Sequence, residues 1–146
     1  MGCNIMSWKS YNLDQEAQKL ILKHRDKEGV IGQSHKMRTT VAFGLERFWG
    51  EQLRLLGKND SKERAKGEYW RDTWDSFAKI IELAGIKLPS EKVSSSDTQE
   101  IQKFATKLWE LPIDDQRICL AVLTQFCDSL VWWTQRYKKS GVSDGE

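Results

Sequence analysis

Apolar residues along this chain recur at intervals of three and four, and nowhere do they alternate with polar ones for long enough to make a strand. After Asn12, the residues Leu13, Ala17, Leu20 and Ile21 share one helical face, and the charged run KHRDKEG leads to a break at Gly29 and Gly32. A second helix is predicted from near Ser34 to Gly57 on Val41, Leu45, Phe48, Gln52, Leu55 and Leu56. A third takes Asp60 or Ser61 as N-cap and runs through Tyr69, Trp70, Trp74, Phe77, Ile80, Ile81 and Ala84 to Gly85. The polar PSEKVSSSD, residues 89–97, reads as a mobile linker. Asp97 or Thr98 then caps a fourth helix carrying Ile101, Phe104, Ala105, Leu108 and Trp109, which stops at Leu111 and Pro112. The last helix opens at Asp114 and Asp115 and closes around Lys138 and Lys139, charges that suit its two dipole ends. Residues 140–146 remain as a frayed tail. The pattern predicts an all-α single domain over residues 1–146, a bundle of about five helices.

Within the last helix, ICLAVLTQFCDSLVWW is interrupted only by Thr124, Gln125, Asp128 and Ser129. A helix apolar nearly all round is buried by several neighbours, which places both Trp132 and Trp133 against packed helices. The competing use leaves one tryptophan as a stacking or partner surface beside Arg136, Tyr137, Lys138 and Lys139. Asp128, if buried, calls for an Arg or Lys partner.

Composition narrows the class. Hydrophobic residues make up 39% and charged residues 30%, and seven tryptophans in 146 residues argue against disorder. The net charge is only +2, with its positive excess in the N-terminal half. Cys3, Cys119 and Cys127 have no metal-ligand spacing, and the latter two sit in an apolar run, so a reducing, cytoplasmic setting is expected. No stretch is apolar enough to span a membrane, and the MGC start lacks the Ser or Thr at position 6 of a myristoylation signal.

Catalytic signals are sparse. His24 and His35 belong to no metal motif, and phosphate loops, nucleophile elbows and dinucleotide fingerprints are absent from the sequence. The expectation is a non-catalytic protein with no cofactor and no metal.

The second helix carries the clearest functional pattern. Counting about 100° per residue from Lys36, Arg47 falls near 20°, Arg54 near 0° and Lys58 near 40°, opposite Leu45 and Leu56. The same side holds Thr40, Phe43, Gly44 and Gly50, with Glu51 as the one acid close to the row, and Arg38 adds to the cluster at its start. Such a row, about 33 Å long, suits a phosphate backbone read without sequence preference. Arg136, Lys138 and Lys139 offer a second patch. The bland alternative is a solvated helix face, though such faces interleave acids more fully.

A chain of this length, helicity and charge placement resembles the small subunit of multisubunit type I or type III CRISPR effector complexes. KMRTTVAFGLERFWGEQLRLLGK looks like one of their nucleic-acid-facing helices, and LAVLTQFCDSLVWWTQRYKK like their closing apolar helix. The resemblance implies a non-catalytic role in which copies of the subunit stack with other effector subunits and steady a guide RNA–target duplex or a single strand. Tryptophans such as Trp8 and Trp70 would then serve subunit contacts. Two rival expectations stand beside it: a helical protein-interaction adaptor with no nucleic-acid role, and a small enzyme or toxin with a composite site around Cys119, His35 and Asp128.

Overall fold

A computed structural model describes residues 12–138. Among them six α-helices and one short 3₁₀ turn form an all-helical bundle with no strand. They are α1 (Leu13–His24), α2 (Gln33–Thr40), the 3₁₀ turn Val41–Phe43, α3 (Leu45–Leu56), α4 (Ser61–Glu82), α5 (Thr98–Trp109) and α6 (Ile113–Tyr137).

Local chemistry sets most of the boundaries. Asp60 caps α4 by accepting from the Lys62 N–H at 2.8 Å, and Asp97 caps α5 by accepting from the Glu100 N–H at 3.1 Å. Gly85 closes α4 with a φ of 86°, which a side chain would resist. Gly29, at φ 79°, makes the expected break after α1, and the turn tucks Val30 and Ile31 into the core.

The predicted second helix is not continuous. Gly44 adopts φ 101° and ψ 171°, and the chain turns there between the 3₁₀ segment and α3. The sequence TTVAFG explains the break. Thr39 and Thr40 both bond back to the Lys36 carbonyl, at 2.9 and 2.7 Å, and the β-branched run is a weak helix former ahead of a glycine free to take positive φ.

The core is built from α3, α4, α5 and α6 together, with Phe48, Trp70, Trp74, Phe77, Phe104, Phe126 and Leu130 fully enclosed. Trp49 stacks on Phe104 with centroids 4.1 Å apart, which fixes α5 against α3. Trp70, expected at a subunit contact, is 1% exposed and donates to Gln33 Oε1 at 2.9 Å, so it belongs to the core. Trp8 lies outside the described residues.

Segment 89–97, expected as a mobile linker, is anchored. Val93 is buried, Pro89 accepts from Trp74 Nε1 at 3.1 Å, and Glu91 pairs with Lys107 at 3.0 Å. Its serines give no hint of this, because one buried valine and one carbonyl do the holding. No helix among the described residues is long and apolar enough to cross a membrane.

Candidate nucleic-acid interface at the α2–α6 seam

The break at Gly44 dismantles the straight basic row, since Lys36 now stands on α2 while Arg47 and Arg54 stand on α3. The fold brings Glu51 between them instead. Its carboxylate lies 3.4 Å from Lys36 Nζ and takes a hydrogen-bonded ion pair from Arg54. Partial burial opposes ionisation of Glu51, but Arg54 and Lys36 together hold its carboxyl below the ordinary value. Lys58 is likewise taken up, 3.5 Å from Glu63. Three of the four cations in the expected row therefore face carboxylates.

Arg38 faces a carboxylate across the seam between α2 and α6, whereas Arg47 on α3 and Arg136 on α6 are placed differently. Ser34 Oγ meets Thr134 Oγ1 at 2.8 Å and Arg38 Nε donates to Asp128 Oδ1 at 2.7 Å, so numbering rises on one helix as it falls on the other. The two helices are antiparallel. Beyond the Arg38–Asp128 pair on one side lies Trp132, one turn along α6. On the other side the chain runs from Arg38 through the 3₁₀ turn to Phe43.

Each aromatic carries an arginine four residues later. Arg47 sits over the Phe43 ring with its guanidinium carbon 5.8 Å from the centroid, and Phe43 is 67% exposed. Arg136 lies 5.5 Å from the Trp132 centroid, and Trp132 is 56% exposed. Neither Arg47 nor Arg136 makes an ion pair among the described residues.

The exposure of Trp132 corrects the expectation that both tryptophans pack. Its neighbour Trp133 does pack: it stacks on Tyr137 at 5.4 Å and 11°, and its buried Nε1 has no hydrogen-bond partner among the described residues. Trp132 meets Trp133 edge-on, and Arg136 lies within 5.8 Å of all three rings. Arg25 from the end of α1 closes the cluster, donating to the Tyr137 carbonyl at 3.1 Å with its guanidinium 5.7 Å from the Tyr137 centroid. Gln18 holds the Tyr137 hydroxyl at 3.2 Å. This end of α6 is thus a supported platform with one ring and one cation turned to solvent. Lys138 is exposed as the C-cap, and Lys139 lies outside the described residues.

The expected partner of Asp128 is therefore Arg38, although the carboxylate is exposed rather than buried. Cys119 sits on the core face of α6, and burial, with Asp115 adding to it, pushes its thiol up to about 12. At neutral pH it is a protonated, enclosed thiol. His35 lies elsewhere on the seam, 3.5 Å from Gln135.

One cluster carries no sequence signal at all. His24 is buried against Tyr69, and its Nε2 lies 2.8 Å from Asp72 Oδ2, which Lys23 Nζ also approaches at 2.8 Å. Burial opposes the ionised Asp72, yet His24 and Lys23 hold its carboxyl low; burial and the nearby Asp72 push Asp75 up. Both acids line a cleft of about 370 Å³ with Lys27, Glu68, Arg71 and Lys92. The signs alternate, and the pairs tie α1 to α4. No group of three or more His, Cys, Asp or Glu among the described residues is arranged to hold a metal.

No family model, no curated protein and no solved structure matches this chain.

Proposed function

We propose that the protein is a non-catalytic helical module that holds a nucleic-acid strand on two exposed arginine–aromatic pairs beside the α2–α6 seam. The observation that carries this reading is the pairing of Arg47 with exposed Phe43 and of Arg136 with exposed Trp132, cations left without carboxylates while Lys36, Arg54 and Lys58 are neutralised. An exposed ring offers a face to a base, and an arginine beside it reaches the neighbouring phosphate. The contacts carry no base-edge readout, so recognition is of strand chemistry rather than of sequence.

With a net charge of +2, a single copy is a weak, salt-sensitive binder. Such a module is useful inside an assembly where several weak sites act on one strand. That is the setting which the resemblance to CRISPR small subunits implies, and a ribonucleoprotein recovered with the chain's own operon partners would extend the proposal to it.

The direct test is fluorescence anisotropy of a labelled 15-nucleotide oligothymidine and of its duplex, titrated with full-length protein between low and physiological salt. Binding that weakens with salt, and that drops at least tenfold in both Arg47→Glu and Trp132→Ala, supports the seam. Binding indifferent to both changes, or absent at low salt, removes it.

A further inference from the structure

We propose that the corner between α5 and α6 is a second docking surface, and that its partner is a cationic amphipathic helix of another protein. Trp109 is 66% exposed and Ile113 is 62% exposed, and Pro112 between them faces solvent. One exposed apolar side chain is ordinary, but an indole, a proline ring and an isoleucine within five residues make a patch. Tryptophan is also the side chain most enriched at the energetic centres of interfaces.

The patch is rigid before anything binds. Gln116 reaches back with its side-chain amide to the Leu111 carbonyl at 2.8 Å and the Trp109 carbonyl at 3.4 Å, while its backbone N–H meets the Pro112 carbonyl at 2.9 Å. Half-buried Leu111 pins the turn to the bundle from beneath. A partner therefore finds Trp109 and Ile113 on a fixed frame, with little ordering left to pay for.

Charge selects the partner. Glu110, Asp114 and Asp115 neighbour the apolar residues in sequence; Arg117 stands 3.9 Å from Asp114 with both side chains largely in water, and Lys107, which lines a cleft with Lys87 and Leu111, pairs with Glu91 at 3.0 Å. The turn itself, residues 110–117, therefore keeps a negative excess. Lysines bordering an apolar stripe would meet the carboxylates of Glu110, Asp114 and Asp115 next to Trp109 and Ile113, which suit a cationic helix better than a phosphate backbone. Placed beside the seam, this gives the protein two opposite chemistries: arginines with rings for a strand, and carboxylates with rings for a basic helix.

The probe is a labelled 14-residue helical peptide of leucine and lysine, with leucines at intervals of three and four, alongside a leucine–glutamate peptide of the same pattern. Anisotropy with the full chain at physiological salt should show saturable 1:1 binding of the lysine peptide and none of the glutamate peptide. Trp109→Ala should weaken it at least tenfold, and the Glu110→Lys, Asp114→Lys variant should weaken it similarly while gaining affinity for the glutamate peptide. All these side chains are exposed, and unchanged near-ultraviolet dichroism of the charge variant verifies folding. Oligothymidine affinity should not move in either variant, so failure here is separable from failure at the seam. Equal binding of both peptides, or indifference to both variants, overturns the proposal. So does sedimentation showing a dimer that Trp109→Ala dissociates, because the occupant is then a second copy.

Discussion

Gly67 of α4 lies directly against Leu56 of α3: a Cβ added to Gly67 would come within 2.8 Å of Leu56 Cγ and 3.0 Å of Leu55 Cβ. These two helices share the most extensive packing in the bundle, and the missing side chain lets them approach. Helix propensity alone favours alanine over a mid-helix glycine by about 1 kcal/mol. Overpacking costs about 1–3 kcal/mol and acts in the opposite direction. Gly67→Ala should therefore lower stability in urea unfolding, by up to about 2 kcal/mol, since the contact with Leu56 and Leu55 is closer than a Cβ tolerates. In a Leu56→Ala background the penalty should shrink without vanishing, because Leu55 Cβ remains. A Gly67→Ala protein more stable than the parent would mean that the helices have room to spare.

The neutralised basic row makes a prediction of its own. Glu51 holds both Lys36 and Arg54, so Glu51→Gln keeps the shape and releases two cations toward solvent. If a strand follows the seam, each new phosphate contact should add about 0.7 to the salt slope for a single strand, and affinity at low salt should rise severalfold. A constant slope in the variant would place the bound strand away from Lys36 and Arg54. Because the folded-state pKa of Glu51 is depressed, its contribution to stability is present above the unfolded carboxylate value and is lost as pH falls through the folded one. The glutamine variant should thus lose stability at neutral pH and match the parent in acid.

Which parts of this arrangement the sequence reveals follows from how local each cause is. Asp60, Asp97 and Gly85 mark helix ends because a cap acts on residues two or three away, and those boundaries are legible. Gly44 is not, because apolar positions on either side of it happen to continue one helical phase across a turn. That accident made Lys36, Arg47, Arg54 and Lys58 look collinear. Glu51 was visible beside the row, but its reach to Lys36 exists only once the chain has folded back at Gly44. Trp132 and Trp133 are indistinguishable by hydrophobicity; α1 supplies Gln18 and Arg25 to the Tyr137 that stacks on Trp133, while Trp132 stays open to solvent. His24 and Asp72 are 48 residues apart, a separation that no periodicity reports.

Asp75 gives a pH-dependent test with the reverse sign. Burial, then the charge of Asp72, raises its folded-state pKa above the unfolded value. For an acid raised on folding, the penalty is absent below the unfolded pKa of about 3.9 and complete once pH passes the folded one. Asp75→Asn should therefore raise the urea midpoint at pH 7, and the gap should close near pH 3. It should also relieve Asp72, whose pairs with His24 and Lys23 gain from losing a like charge. A midpoint lower than the parent's at pH 7 would show that Arg71, Lys79 and Lys92 stabilise ionised Asp75 more than burial opposes it.

The thiols decide between a scaffold and a composite site at Cys119. Cys119 and Cys127 are enclosed in the core face of α6, and burial raises both thiols above their ordinary range. A nucleophilic cysteine needs the opposite, a lowered pKa and an approach route. In a Cys3→Ser protein, native samples at pH 7.5 should show no thiol reacting with an aromatic disulfide reagent over minutes, and both should appear on unfolding in guanidinium. Reaction through rare opening should follow global stability, so destabilising Gly67→Ala should speed Cys119 and Cys127 together. Fast native reaction confined to Cys119 and unaffected by that change would instead mark a reactive thiol, and the enzyme reading would return.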